Sequence, residues 1–169
     1  AVMPAHADNA SASLAQLLAG IVATPVGDVN VTDVSLDSRA VTPGALFLAC
    51  RGRTRHGIEF LDAAIAAGVR AVLWETAPGV VAPRVPASVF VAAVPELSRL
   101  AGTIADRFFG SPSAALAVAG ITGTNGKTTT AYLLAQALGL CGKPAAYMGT
   151  LGYGMPPALQ AATHTTADA

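Results

Sequence analysis

Residues 120–130 read GITGTNGKTTT and combine three glycines with a lysine and five threonines. Such residues can hold phosphate, because glycines let backbone N–H groups converge on an anion while lysine and hydroxyl side chains reach the terminal phosphates and Mg²⁺. The common phosphate loop reads Gly, four residues, then Gly-Lys-Ser/Thr. Counted back from Gly126, its first glycine would fall at Ile121. The segment is therefore either a nucleotide site with altered spacing or a glycine-rich turn before a helix.

The elements predicted around this segment favour the nucleotide site. Residues 114–122 are apolar and predict a buried parallel strand, residues 127–140 a helix and residues 144–150 a further strand. A strand, loop, helix and strand in this order are the context of a phosphate loop, at the carboxyl edge of a sheet. The predicted ATP-binding residues are Gly123, Thr124, Asn125, Gly126, Lys127, Thr128 and Thr129. Among them Lys127 is the predicted catalytic cation and Thr128 the predicted metal-facing hydroxyl.

The upstream part predicts a small α/β domain. Strands are expected at about 29–36, 45–50, 70–75 and 87–93, and helices at 11–19, 57–68 and 95–110. After the linker at 111–113 the pattern begins again. The fold class is thus α/β, with a small N-terminal α/β domain (1–113) followed by the truncated start of a parallel-sheet ATPase domain (114–169). A single βαβ unit cannot cover both faces of its sheet, so we expect further chain beyond residue 169.

Composition excludes several classes of protein. Hydrophobic residues are 53% of the 169, which permits a packed core, and charged residues are 12% with a formal net charge of zero. The chain therefore carries no basic field for nucleic acid or anionic membranes. No apolar run is long enough for a membrane span. Cys50 and Cys141 lie far apart without metal or redox spacing, which predicts two buried, reduced thiols in a cytoplasmic protein.

The segment GTNGKT resembles the ATP loop of the Mur ligases and the related folylpolyglutamate synthetases. Residues 36–73, beginning LDSRAVTPG, resemble the amino-terminal domain of the two family members that add the third residue and the terminal dipeptide. The segments AYMGTLGYG (146–154) and THTTADA (163–169) are similar to the member that adds the third residue. The resemblance covers roughly residues 29–169.

This resemblance implies an ATP-dependent ligase of cytoplasmic peptidoglycan synthesis with ATP and Mg²⁺ as cofactors. The implied substrates are UDP-MurNAc-L-Ala-D-Glu, activated as an acyl phosphate, and a diamino acid, for which meso-diaminopimelate is favoured over lysine. The carbamylated lysine and the remaining metal ligand of the family would lie beyond residue 169. We therefore expect this chain alone to be inactive, and the protein to be a monomer.

The resemblance also implies a set of substrate contacts. By position, these residues are Leu36, Ser38, Arg53, Thr54, Arg55, His164, Thr165 and Thr166. The first five would contact the uridine diphosphate end, and Arg donors suit a diphosphate. Arg53 and Arg55 could instead belong to a solvated basic loop, and Asp37 and Arg39 could be a pair that stabilises a turn. His164 stands where some relatives have Asn, which weakens the expectation of an amide contact there.

Three alternatives remain open. The first is the family member that adds D-Ala-D-Ala. The second is a folylpolyglutamate synthetase, which is disfavoured because it generally lacks a domain like residues 29–75. The third is a non-catalytic nucleotide-binding module, for which an acid would be expected after the strand at 144–150; residues 144–154 contain none.

Overall fold

The structure is a computed structural model that describes residues 11–23, 25–52 and 54–161. The chain divides into two compact units, with the boundary between Ala115 and Leu116. The division into a substrate-binding domain ending at 113 and an ATP-binding domain stays a prediction.

The first unit is built on a parallel sheet of four strands, which lie side by side in the order Val34–Ser35, Leu46–Ala49, Ala71–Glu75 and Phe90–Val94. Its elements are β1 (Ala12–Ser13), α1 (Leu14–Leu17), β2 (Asn30–Val31), β3 (Val34–Ser35), β4 (Leu46–Ala49), α2 (Leu61–Ala66), β5 (Ala71–Glu75), β6 (Phe90–Val94) and α3 (Leu97–Phe108). A 3₁₀-helix, Gly57–Phe60, precedes α2. Strands β1 and β2 form a separate antiparallel pair.

Side chains of the parallel sheet pack into two hydrophobic cores, one on each face of the sheet. Leu46 and Leu48 of β4 belong to the core that includes α1 and α3, whereas Phe47 packs with α2. Every residue of β4 and of β5 is buried. Continuous burial is expected for central parallel strands with helices on both faces. The predicted α/β fold class is confirmed.

The predicted strand at 29–36 forms two short strands instead of one. Val31 pairs with β1, whereas Val34 pairs with β4. The break lies at Asp33, whose carboxylate accepts the Val34 amide at 2.8 Å and whose carbonyl accepts the Leu46 amide at 2.8 Å. The chain passes from one sheet to the other at these bonds. The apolar residues predicted for one strand therefore pair with two different strands, β1 and β4.

The second unit contains α4 (Lys127–Leu140), β7 (Tyr147–Gly149), β8 (Gly152–Met155) and β9 (Ala158–Gln160). The three strands form an antiparallel sheet in the order β7-β8-β9. The predicted helix at 127–140 is confirmed, and the predicted strand at 144–150 shortens to β7. Within the described ranges, no helix is long and apolar enough to cross a membrane.

The buried parallel strand predicted at 114–122 is wrong in this structure. A 3₁₀-helix covers Pro112–Ala115, and the residues after it are irregular. Leu116 and Val118 are 66% and 84% exposed. A strand needs a neighbour to take its backbone hydrogen bonds. Since β7 pairs antiparallel with β8, the described parallel sheet belongs to the first unit alone.

Candidate functional site

The predicted phosphate loop is an irregular segment that leads directly into α4. Gly123 has φ +144° and Gly126, the residue before the helix, has φ +76°. Residues with side chains rarely adopt these angles, so the bend depends on glycine at both positions. The first helical bond runs from the Thr130 amide to the Gly126 carbonyl at 2.8 Å. The amides before Thr130 therefore point out of the helix N-terminus, where they can bind an anion.

The Lys127 side chain curls back over this loop. Its ammonium donates to the carbonyl oxygen of Gly123 and, at 3.3 Å, to that of Thr124. These bonds hold the charge against the exposed backbone of the bend. A terminal phosphate bound there would meet a cation and backbone donors together.

Two threonine hydroxyls meet at the same end of α4. Thr128 Oγ1 lies 2.8 Å from Thr150 Oγ1, and Thr150 directly follows β7. The sequence interpretation included Thr128 and missed Thr150. Its position could have indicated a role, because Thr150 lies at the carboxyl end of the strand that follows the loop and helix, where ligands bind in α/β folds. Thr129 lies exposed in the first turn of α4, and Asn125 lies exposed in the bend.

The donor set at this loop fits a nucleotide with Mg²⁺. Backbone amides and an ammonium suit phosphate, and a threonine hydroxyl is an oxygen ligand of the kind that Mg²⁺ takes. In the part of the chain that the structure describes, no three His, Cys, Asp or Glu side chains cluster as metal ligands. Mg²⁺ commonly binds through few protein groups, with substrate phosphates and waters as its other ligands. The Thr128 hydroxyl beside the phosphate loop therefore fits the role of one protein ligand.

A second group of predicted residues lies in the first unit, on the loop at 51–56. Backbone bonds close this loop: the Gly52 amide donates to the Arg55 carbonyl at 2.9 Å, and the Gly57 amide to the Cys50 carbonyl at 2.8 Å. A Cβ on Gly57 would lie 2.6 Å from the Ala49 Cα, so this close approach requires glycine. The loop thus has a fixed base.

Arg55 is held in place by its neighbours. Its Nε donates to Glu59 at 2.9 Å, and its guanidinium carbon lies 4.4 Å from the centre of the Phe60 ring. Beside it lies an open pocket of about 340 Å³. The pocket is lined by Arg51, Gly52, Thr54, Arg55, His56, Ala77, Pro78 and Val80. Arg55 is therefore an ordered donor at the pocket edge, although an exposed one.

Glu75, at the end of β5, anchors the base of this loop. Its buried carboxylate accepts the Arg51 amide at 2.8 Å, the Ser98 amide at 3.3 Å and the Ser98 hydroxyl at 3.0 Å. His56 adds a second tie, because its Nδ1 accepts the Ile58 amide at 3.2 Å and its Nε2 lies 2.9 Å from the Glu75 carbonyl oxygen. Nε2 must then carry the hydrogen. Glu75 was not among the residues predicted from the sequence. Its position as an acid at the end of an apolar strand was the feature that could have indicated a role.

Leu36 and Ser38 lie in the turn that follows β3. The buried Ser35 hydroxyl donates to the Asp37 carbonyl at 2.9 Å and accepts the Asp37 amide at 3.2 Å. Asp37 also accepts hydrogen bonds from the Arg39 guanidinium and amide, which lower the pKa of its carboxyl. The turn-stabilising pair considered for Asp37 and Arg39 is confirmed. Leu36 is 39% exposed, and its role and that of Ser38 stay predictions.

Four of the predicted substrate contacts lie outside the described residues. They are Arg53, His164, Thr165 and Thr166. The structure brings Gly123, Thr124, Gly126, Lys127 and Thr128 together at one end of α4 and, separately in the first unit, Thr54 and Arg55 at one pocket.

Both cysteines are free thiols. Burial, with a contribution from the negative charge of Glu75, raises the pKa of the Cys50 thiol to about 12. Cys141 is exposed at the end of α4. The prediction that both thiols are buried is wrong for Cys141, which lies at the exposed end of α4 and packs in neither core.

Two family models match the chain. The model described as Mur ligase family, catalytic domain, matches residues 30–108, and the model described as Mur ligase middle domain matches residues 121–169. The strands and helices from β2 to α3 lie in the first match, and the phosphate loop with α4 lies in the second.

Three proteins similar in sequence to this chain share the same name. The UDP-N-acetylmuramoyl-L-alanyl-D-glutamate--2,6-diaminopimelate ligase of Alkalilimnicola ehrlichii is 46% identical over 153 residues, which cover 86% of this chain and 30% of that protein. The proteins of the same name from Chromobacterium violaceum and Pseudomonas aeruginosa are 47% and 41% identical, over 80% and 83% of this chain and 27% and 28% of theirs. The chain thus spans about 30% of the length of these relatives.

Solved structures agree with these matches. A structure of UDP-N-acetylmuramoyl-L-alanyl-D-glutamate--2,6-diaminopimelate ligase superposes with a TM-score of 0.66 and 30% identity, covering 94% of this chain and 31% of that one. A structure of UDP-N-acetylmuramoylalanyl-D-glutamyl-2,6-diaminopimelate--D-alanyl-D-alanyl ligase from Acinetobacter baumannii superposes with a TM-score of 0.56 and 22% identity, covering 83% of this chain and 30% of that one, which shows a shared fold. With both family models matched in order along its sequence, the chain belongs to the Mur ligase family.

Proposed function

We propose that the complete protein, the natural polypeptide that carries these residues, is an ATP-dependent amide-bond ligase of peptidoglycan precursor synthesis. It joins meso-diaminopimelate to UDP-MurNAc-L-Ala-D-Glu in the cytoplasm, as a monomer. The observation that carries this proposal is the loop at 123–128, where a lysine ammonium and a threonine hydroxyl meet the N-terminus of α4. The names of the similar proteins support the choice of 2,6-diaminopimelate.

The reaction needs phosphoryl transfer because a carboxylate is a poor electrophile. A carboxylate oxygen of D-glutamate attacks the γ-phosphorus of ATP, ADP leaves, and an acyl phosphate forms. The amine nitrogen of the diamino acid then attacks the acyl carbon, losing a proton, and inorganic phosphate leaves with the former carboxylate oxygen. Catalysis of such a transfer is mainly positioning and neutralisation of charge.

This chain would supply those two effects at the γ-phosphate. The Lys127 ammonium neutralises charge, and the amides at the start of α4 orient the phosphate oxygens. Mg²⁺, when bound, would be held in part by Thr128 and would neutralise charge on the phosphates. Asn125 and Thr129 complete the exposed surface around the phosphates.

The first unit would bind the uridine diphosphate end of the substrate. Thr54 and Arg55 face the pocket of about 340 Å³, and Arg53 belongs to the same loop. The bond from Arg55 to Glu59 uses Nε. A guanidinium also carries donors on its two terminal nitrogens, which suit a diphosphate. Leu36 and Ser38 would contact the uridine, and His164, Thr165 and Thr166 the sugar and peptide.

The substrate is tested by supplying the complete protein with ATP and Mg²⁺ and alternative substrate pairs. UDP-MurNAc-L-Ala-D-Glu is offered with meso-diaminopimelate or L-lysine, and the UDP-tripeptide is offered with D-Ala-D-Ala. The proposal predicts product with the first pair only. Product with D-Ala-D-Ala would identify the dipeptide-adding member, and nucleotide binding without any product would favour the non-catalytic module. The 169-residue chain alone is expected to give no product.

A further inference from the structure

The hydroxyl of Thr150 has no role in the site as proposed so far, yet it touches the residue assigned to the metal. We propose that Thr150 is a positioning residue: its hydroxyl accepts the proton of the Thr128 hydroxyl and so directs a lone pair of Thr128 Oγ1 toward Mg²⁺. This inference rests on the proposed function. It adds a residue from the end of β7 to a site otherwise formed by the loop and α4.

The valence of a hydroxyl gives the reason. A threonine hydroxyl has one proton to donate and two lone pairs to offer. When one lone pair faces a divalent cation, the proton must point away from the cation and needs an acceptor. Thr150 Oγ1 lies 2.8 Å from Thr128 Oγ1, a normal O–H···O distance. The pair can donate in either direction. A cation beside Thr128 would favour donation toward Thr150.

The fold holds Thr150 in this position through Tyr147. Tyr147 is buried at the start of β7, and its ring meets the Tyr132 ring of α4 edge-on, with centres 5.9 Å apart. The Leu151 amide donates to the Tyr147 hydroxyl at 3.4 Å. Tyr132 lies four residues after Thr128, on the same face of α4. One aromatic contact therefore ties the strand end and the helix face that carry the two threonines.

Replacing Thr150 tests the role of its hydroxyl. Thr150→Val keeps the shape of the side chain and removes the acceptor, whereas Thr150→Ser keeps the acceptor. Thr103→Val, on the exposed face of α3, is the matched control. The readout is the Mg²⁺ concentration that gives half-maximal binding of a non-hydrolysable ATP analogue to the complete protein, measured by calorimetry. Affinity for UDP-MurNAc-L-Ala-D-Glu without nucleotide is measured alongside.

Partners that orient a metal ligand typically contribute about 10–100-fold to metal affinity, so Thr150→Val should raise the required Mg²⁺ concentration by roughly that factor. Thr150→Ser and Thr103→Val should stay near wild type, and UDP-substrate affinity should not change. Thr150→Val binding Mg²⁺ and analogue like wild type, or Thr150→Ser being equally impaired, would overturn the inference. If Thr150→Val does not fold, Thr150→Ala against Thr150→Ser gives the same contrast. Wild-type protein that fails to bind the analogue with Mg²⁺ would instead refute the proposed function.

Discussion

Replacing Glu75 by alanine should loosen the substrate loop of the first unit and the start of α3 together. The buried carboxylate accepts bonds of 2.8 Å from the Arg51 amide and 3.0 Å from the Ser98 hydroxyl, and a weaker one of 3.3 Å from the Ser98 amide. Alanine would leave the two amides without this partner. No lysine or arginine forms an ion pair with Glu75 among the described residues, so hydrogen bonds carry its stabilisation.

The size of the effect follows from these bonds. A hydrogen bond to a charged group contributes about 1.5–3 kcal/mol, and leaving a buried donor unpaired costs a similar amount. Two well-formed bonds, with some replacement by water, give a loss of about 3 kcal/mol. Since each 1.4 kcal/mol is about a factor of ten, the opening equilibrium should shift roughly 100-fold. Glu75→Gln keeps one acceptor oxygen but brings an NH₂ group against a donor. Its opening equilibrium should therefore lie between those of the wild type and Glu75→Ala.

Hydrogen–deuterium exchange of the complete protein, read by mass spectrometry, measures this locally. Peptides that cover residues 50–57 and 96–100 should exchange roughly 100-fold faster in Glu75→Ala. The affinity for UDP-MurNAc-L-Ala-D-Glu should fall with them, while binding of an ATP analogue should not change. Asp28→Ala, which removes an exposed acid, is the control. Exchange in Glu75→Ala that matches this control would refute the anchoring role of Glu75.

Three further predictions concern the first unit. Gly57→Ala should destabilise the protein by about 1–3 kcal/mol in chemical denaturation, because its Cβ would meet the backbone of β4, whereas Gly102→Ala, with open space inside α3, should stabilise it by up to about 1 kcal/mol. Since hydrogen bonds from Arg39 lower the pKa of Asp37, this pair stabilises the fold above the ordinary pKa of an aspartate and loses its effect as the pH falls through the lowered value. NMR titration should show the Asp37 pKa rising in Arg39→Gln; an unchanged pKa would contradict the pairing. Cys50, with its thiol pKa raised to about 12, should resist iodoacetamide at about pH 8 until the protein is unfolded; modification of the native protein at the rate of a free thiol would contradict the raised pKa.

Local signals predicted the elements that depend on local chemistry. The helix at 127–140 was predicted with the bounds of α4, because a glycine before Lys127 and another just after the helix mark its two ends. The apolar runs of β4 and β5 were sufficient to predict these strands, because both strands are buried on both faces. The run at 114–122 looked the same, but an apolar segment becomes a strand only when another strand pairs with it.

Partners distant in sequence explain what was missed at the candidate site. Thr150 meets Thr128 across 22 positions, and Glu75 meets Arg51 across 24 and Ser98 across 23. Spacing patterns describe neighbours on one element and do not report contacts between elements. The phosphate loop could be predicted because its glycines, lysine and threonine lie within one short segment, residues 123–128.

The ATP site proposed at residues 123–128 is tested most directly by a crystal structure of the complete protein with Mg²⁺ and a non-hydrolysable ATP analogue. We expect the γ-phosphate in the bend between Gly123 and Gly126, hydrogen-bonded to the Lys127 ammonium and the first amides of α4, with Mg²⁺ on Thr128. An analogue bound elsewhere while this bend stays empty, or bound with the Lys127 ammonium directed away from the phosphates, would contradict it.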